Sequence, residues 1–348
     1  MSLTPSIQST LQRYQPEILA SLQSTIKRAQ ASSALQEVSN LAPFYGQMQY
    51  HLGWVDSNFS PVSSNPGKQL RPILLLLAFE ATAEHTHDAE TEQHDSSHLR
   101  RALPAAASIE LTHNFTLIHD DIEDGDQTAI IQSIGTARVV NVASALLILA
   151  HKVLLSLLDE AVDRSLILSL LNTLVNASLK SANGQHLDIL FENREFADIS
   201  GEESINMIGL KSGSLMSATM HLGALCAGAE KGICEKFAEC GRLLGIAYQL
   251  DNDSHDLYNI VQSLDNAENA YCHKTIKTDL TLEKKTLPII IANKYENILH
   301  VNEPDRKALK EGILVSWAVS LLYRERALEC LQELEKRSLV SPLLRLVL

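Results

Sequence analysis

The sequence predicts an all-α protein. Three observations carry that prediction. Helix-forming Leu, Ala, Glu and Gln dominate its 348 residues; Gly and Pro number only 15 and 10; and few segments show the strict alternation of a half-buried strand. Hydrophobic residues make up 45%, enough for a sizeable core, and nothing in the middle reads as a linker, so one large domain is expected over residues 1–348.

Residues 6–31 carry apolar positions at helical spacing (Ile7, Leu11, Ile18, Leu19, Leu22, Ile26) and read as an outer helix, with another over 36–52. Residues 56–67, rich in Ser, Pro and Asn, read as a loop. It leads into Gly67-Lys68-Gln69-Leu70-Arg71-Pro72, at the start of a helix running through Leu75 and Phe79. Lys68 and Arg71 share one face and suit a phosphate clamp, although two cations at a helix start are also commonly solvated. Residues 82–98 hold His85, His87, His94 and His98 among polar residues; no apolar residue there fixes metal ligands, so this is a polar loop without assigned function.

Residues 103–118 form a long apolar-periodic segment ending in His119-Asp120-Asp121-Ile122-Glu123-Asp124. The carboxylates therefore sit at a helix C-terminus, where they repel one another and the macrodipole. Asp120 and Asp124 fall on one face a turn apart, and Mg²⁺, a hard oxygen-seeking ion, suits them. A solvated acidic turn would look the same, but a second cluster, Asn252-Asp253-Ser254-His255-Asp256, repeats the i, i+4 spacing with Asn252 and Asp256. Two helices presenting such faces to each other would cage divalent ions, which bind polyanions such as diphosphate. Residues 139–158 are the most apolar stretch, but Asn141, Ser144, His151 and Lys152 interrupt it, so a buried helix is expected rather than a membrane span. Gln185, Asp188 and Lys211 interrupt other helical runs and need partners if buried. Residues 287–348 read as outer helices.

Six stretches, GKQLRP (67–72), HNFTLIHDDIEDGD (113–126), GQHLDI (184–189), LKSGSL (210–215), NDSHD (252–256) and KTDLTLEKKTLP (277–288), resemble the polyprenyl synthetase family of trans-isoprenyl diphosphate synthases in order and spacing. The resemblance implies an isoprenoid synthase α-helical bundle with a central active-site cavity. It would have outer helices and a loop over 1–66, a catalytic core over 67–288 and C-terminal helices over 289–348. It further implies Mg²⁺, three ions per active site, held by Asp120, Asp124, Asn252 and Asp256, with Asp121 in the same motif and Lys211 on the leaving diphosphate. Lys68, Arg71 and His113 correspond to the isopentenyl diphosphate site. Gln185 and Asp188 would line the pocket, and Lys277, Lys284 and Lys285 would close over the diphosphate. Phe115 would form a floor that stops the prenyl chain near C15 to C20. Family members are commonly homodimers.

The chain departs from the family twice. Where the family carries an arginine pair after the first motif, it has Gln127-Thr128-Ala129-Ile130-Ile131-Gln132. Each lost phosphate contact is worth about 1.5–3 kcal/mol. The second motif begins with Asn252 in place of Asp, as in class I terpene cyclases, although Ile260 does not complete the cyclase pattern. The expected function is therefore a class I terpene synthase that ionises an allylic prenyl diphosphate and cyclises or rearranges it. The alternative is elongation with isopentenyl diphosphate, which retained Lys68, Arg71 and His113 support, or prenyl transfer to another acceptor; a non-catalytic partner subunit is the reading from a different class.

A formal net charge of −13 without a basic stripe excludes general nucleic-acid binding. Five cysteines without ligand spacing read as core residues of a reducing compartment. With a polar N-terminus, a cytoplasmic protein without stable membrane insertion is expected.

Overall fold

The computed structural model describes residues 5–32, 41–62, 67, 69–86, 99–160, 162–267, 284–295 and 306–335. Among them every regular element is helical, and the one strand-like pairing is an isolated antiparallel bridge between Val55 and Pro61. The all-α expectation holds. The chain divides into two compact units, the first of Met1–Asn176, Ala218–Ala238 and Leu334–Val347, the second of Ala177–Ser217 and Glu239–Glu333.

The first unit is built on α1 (Pro5–Ser32), α2 (Ala42–His51), α3 (Leu70–Thr86), α4 (Leu103–Glu123), α5 (Ala129–Ile134) and α6 (Thr136–Leu155), with the start of α7 (Arg164–Glu192). Its centre is α4, packed on α6, α3 and α1. Ala105, Ala106 and Ala107 are fully buried, and such small side chains let neighbouring helices approach closely. On α6, Val139, Val142, Ala143, Leu146, Leu149, Ala150 and Val153 recur at helical spacing on the buried face. That helix, with the 3₁₀ turn that follows, is long and apolar enough to cross a membrane, and 44% of its most apolar window is buried here. It is the core helix expected over 139–158, by one face; Ile148 and Leu155 on the other face are exposed. The first expected helix is α1, where Tyr14, Ile18, Leu22 and Ile26 form the buried row. Tyr14 donates its hydroxyl to Glu80 of α3, and Arg13 Nη2 lies 2.7 Å from Glu80 Oε1.

The second unit comprises the end of α7, α8 (Gly201–Ile208), a π-helical turn (Gly209–Gly213), the start of α9 (Ser214–Cys226), α10 (Lys231–Ala267) from Glu239 onward, α11 (Leu287–Tyr295) and α12 (Arg306–Glu335) up to Glu333. Leu257, Ile260, Val261, Ile289, Leu309 and Ile313 form one apolar cluster, and Phe191, Ile208, Ile246, Leu250, Leu287 and Ile290 another. A capping box starts α8: Ser200 Oγ accepts from the Glu203 N–H at 3.0 Å, and Glu203 Oε2 accepts from the Ser200 N–H at 2.8 Å.

Candidate functional site

In the first unit, α4 ends where the sequence places its end. Asp124 is the C-cap, its N–H donating to the Asp120 carbonyl at 2.8 Å, and Gly125 turns the chain out of the helix at φ 70°. Asp120 and Asp121 occupy the last turn, and all three carboxylates are half-buried. Phe115, one turn below His119, packs against its ring with centroids 4.6 Å apart and planes inclined at 54°. His119 Nδ1 lies 3.7 Å from Glu123 Oε1. Lys68 lies outside the described residues.

Arg71, in the first turn of α3, and His113 of α4 are brought together as expected: Arg71 Nη1 donates to His113 Nε2 at 2.8 Å. The approach to Arg71 is strained. Gln69, immediately before α3, has φ 45°, a left-handed conformation that costs a residue with a Cβ about 1 kcal/mol or more. Its side chain is buried and its Oε1 lacks a hydrogen-bond partner. Around the pair the titratable groups are desolvated. Burial, then the Arg71 charge, holds His113 well below the usual histidine range. Burial raises Glu110 above the usual carboxylate range, against the opposing pull of Arg71 and Asn114.

The stretch that follows the first acidic motif behaves differently. Ala129 opens α5 and is exposed, whereas Ile130 and Ile131 are 5% and 6% exposed. These two isoleucines serve core packing.

In the second unit the acidic cluster lies in the middle of α10, not at its end, so the macrodipole argument applies to the first cluster alone. Asn252 is half-buried, Asp256 exposed and Asp253 buried. Asp251 pairs with Arg324 of α12. Lys211 projects from the π turn, with Nζ 2.6 Å from Asp188 Oδ2 on α7. Such a bulge re-aims side chains and is common at functional sites. Ser181 Oγ satisfies the Lys211 carbonyl at 2.8 Å. Gly184 makes this close approach possible: a Cβ there would fall 2.2 Å from the Lys211 nitrogen. Gln185, half-buried on α7, has a buried Oε1 without a hydrogen-bond partner.

Two residues absent from the expected set join this arrangement. Ser212 Oγ donates to Gln249 Oε1 at 2.8 Å, and Gln249 Nε2 donates to Asp253 Oδ1 at 2.8 Å, tying the π turn to the acidic cluster. The available signal was an amide one turn before Asp253 in an otherwise apolar run. Lys285, expected over a diphosphate, is 4% exposed and places Nζ 3.4 Å from the centroid of the Phe196 ring. Lys277 lies outside the described residues.

Among the described residues no three His, Cys, Asp or Glu side chains converge into a metal cage. Mg²⁺ does not require one: it is commonly held by one or two carboxylates, with waters and substrate phosphates completing six oxygens. The i, i+4 pairs Asp120/Asp124 and Asn252/Asp256 are hard-oxygen donor sets of that kind.

A family model described as polyprenyl synthetase matches residues 53–313. The chain is 33% identical over 247 residues to a (2E,6E)-farnesyl diphosphate synthase of Mycobacterium tuberculosis, a match covering 70% of this chain and 61% of that protein. It is 35% identical over 196 residues to a geranylgeranyl diphosphate synthase of Methanosarcina mazei, 55% of each chain. The chain thus spans less than two thirds of the length of these relatives. Among solved structures, a polyprenyl synthetase from Streptomyces coelicolor A3(2) superposes with a TM-score of 0.74 at 25% identity over 98% of this chain and 99% of that one. A geranylgeranyl pyrophosphate synthase shares the fold with a TM-score of 0.71 at 22% identity, over 97% and 98%.

Proposed function

Since the chain belongs to the polyprenyl synthetase family, we propose that it is a prenyltransferase that elongates an allylic prenyl diphosphate with isopentenyl diphosphate. The observation that carries this reading is the Arg71–His113 pair, held together at 2.8 Å. An enzyme that only ionises and cyclises one diphosphate has no use for a second anion site. The relatives are named as diphosphate synthases, so the terpene synthase expected from the missing arginines is the less supported reading.

In the reaction, the allylic C1–O bond breaks, diphosphate leaves with the electron pair, the isopentenyl double bond attacks C1, and loss of a proton restores an allylic diphosphate. Mg²⁺, held by Asp120 and Asp124 and by Asn252 and Asp256, would neutralise charge on the departing diphosphate. Lys211 supplies a cationic donor whose position is fixed by Asp188. Ser212 and Gln249 orient Asp253. Arg71 receives the isopentenyl diphosphate, with Lys68 beside it in sequence. Phe115, packed against His119, limits the chain to about C15 to C20.

Prenyl transfer to an acceptor without phosphate is the second reading, favoured by the buried Ile130 and Ile131 where a diphosphate clamp is expected. Incubation of the purified protein with Mg²⁺ and C10, C15 or C20 allylic diphosphates, with and without isopentenyl diphosphate, separates the readings. Longer diphosphates formed only with isopentenyl diphosphate support elongation. Hydrocarbon or alcohol from the allylic substrate alone restores the cyclase, and silence in both shifts the weight to another acceptor.

A further inference from the structure

In the first unit, α4 carries an apolar step between the two ends of the candidate site. At about 100° per residue, His113, Leu117, Asp120 and Asp124 fall within about 60° of one another round the helix and form one stripe. With a rise of about 1.5 Å per residue, Leu117 stands about 6 Å along the axis from His113 and about 4.5 Å from Asp120. One end of the stripe is fixed by the bond from Arg71 Nη1 to His113 Nε2 at 2.8 Å, the other by the carboxylates in the last turn. Leu117 is 40% exposed, the one exposed residue of 103–118, where all the others are buried or half-buried. Beside it, Thr116 donates its hydroxyl to the His113 carbonyl at 2.8 Å, so that proton is committed to the backbone. A lone exposed leucine is ordinary on a protein surface; one set midway between an anion site and a carboxylate pair is not.

Elongation sets the demands on that middle position. Isopentenyl diphosphate is held at the Arg71 end and the departing diphosphate at the Asp120/Asp124 end, so the carbons that join lie between them, level with Leu117. When the allylic C1–O bond breaks, diphosphate takes the electron pair and C1 is left cationic. Two nucleophiles then compete for it. The isopentenyl double bond forms a C–C bond and the adduct loses a proton; a water oxygen forms a C–O bond, loses a proton and leaves the prenyl alcohol. We propose that Leu117 is a specificity-determining residue that keeps water from the allylic cation and so decides between elongation and alcohol formation. The assignment rests on the elongation reading. It asks of Leu117 no bond, only bulk and the lack of any polar atom that could hold a water at that level.

The test uses the full chain with Mg²⁺, C10 or C15 allylic diphosphate and isopentenyl diphosphate in water enriched in ¹⁸O, and compares the parent with Leu117→Met, Leu117→Ala and Leu117→Asn. Diphosphate release, longer diphosphates and prenyl alcohol are measured together. Leu117→Asn supplies a water-holding amide and should raise the ratio of alcohol to elongated product about tenfold, with total diphosphate release within about threefold of the parent. Leu117→Ala only opens space and should raise the ratio about threefold, which keeps the test valid if the asparagine variant folds poorly; Leu117→Met should match the parent. The alcohol should carry ¹⁸O, because capture at C1 takes oxygen from solvent, whereas a phosphatase that splits a P–O bond leaves the substrate oxygen in place. Ile118→Val is the control for loosened packing: Ile118 is 0% exposed, on the side of α4 away from Asp120, and its variant should lower the urea midpoint without moving the ratio. An unchanged ratio in both Leu117→Asn and Leu117→Ala, alcohol free of ¹⁸O, or an equal rise in Ile118→Val overturns the proposal. A parent that forms no longer diphosphate overturns the elongation reading. The rate of ¹⁸O-alcohol from the allylic diphosphate alone then decides separately: a rise in Leu117→Asn supports the shielding role, and equal rates in parent and variant remove it. A parent that releases no diphosphate overturns both.

Discussion

Gly184→Ala puts the packing around Lys211 to a direct test. A Cβ at Gly184 would lie 2.2 Å from the Lys211 nitrogen, 2.6 Å from its Cα and 2.7 Å from the Leu210 carbonyl carbon. Packed heavy atoms sit about 3.5–4.0 Å apart, so the overlap exceeds ~1 Å. All three obstructing atoms belong to the backbone, and no rotamer change relieves them. Either α7 or the π turn must move, at a cost of about 3 kcal/mol, the upper part of the usual overpacking range. That is on the order of a hundredfold in the folded-to-unfolded ratio. The same movement separates Ser181 Oγ from the Lys211 carbonyl and Lys211 Nζ from Asp188. Urea unfolding followed by circular dichroism should show a clearly lower midpoint, and product formation should fall in kcat. Gly232→Ala is the control, because no atom lies within 4 Å of a Cβ there, and it should stay within about 0.5 kcal/mol of the parent. Equal midpoints and turnover for both variants would refute the close approach and the role of the π turn.

Asp120→Ala should abolish diphosphate release while leaving the helical circular dichroism of the parent, since the side chain sits in the last turn of α4, outside the buried core; unchanged turnover would remove the carboxylate mechanism. Phe115→Ala should admit longer allylic substrates, and identical chain-length preference in parent and variant would make Phe115 a packing residue only. Acid should weaken the first unit through His51. Burial lowers its pKa from 6.5 to about 4, so the unfolded chain takes up the proton first; the stability present above pH about 6.5 is lost as pH falls towards about 4. His113, also lowered, adds to that loss, whereas Glu110, raised, opposes it; Arg71 stays charged. Urea midpoints between pH 7.5 and 4.5 should fall less steeply for His51→Gln than for the parent, and parallel profiles would refute the assignment.

The parts of the fold that follow from local periodicity were legible in the chain. The apolar rows of α1, α4 and α6 recur at 3.6-residue spacing, and Gly125 stops α4 where the acidic motif turns. The π turn was not legible, because nothing in LKSGSL specifies a wide turn; the glycine that lets α7 approach lies at position 184. Nor was the place of the second acidic cluster within α10 legible. That helix runs past its polar residues because Leu257, Ile260 and Val261 pack against residues of α11 and α12. Lys285 reads in sequence as one of a basic group that closes over the diphosphate, and only folding brings Phe196 beneath it. Glu110 and Asn114, four apart on α4, meet by their helical spacing alone.

The missing arginine pair is a change of architecture rather than of two side chains, and paired substitutions can show it. Ala129 is exposed at the first position of α5, so Ala129→Arg adds a cation in solvent and should leave stability within about 0.5 kcal/mol. Ile130 is 5% exposed, and Ile130→Arg must either bury a guanidinium or expose the apolar face that α5 shares with its neighbours. Removing a buried isoleucine alone costs about 2–5 kcal/mol, and an unpaired buried charge adds several more. Thermal unfolding should therefore separate the two variants widely. Equal stability would mean that Ile130 contributes no packing and that the clamp was lost by simple exchange. If the wide separation is found, an arginine pair cannot be introduced here side chain by side chain.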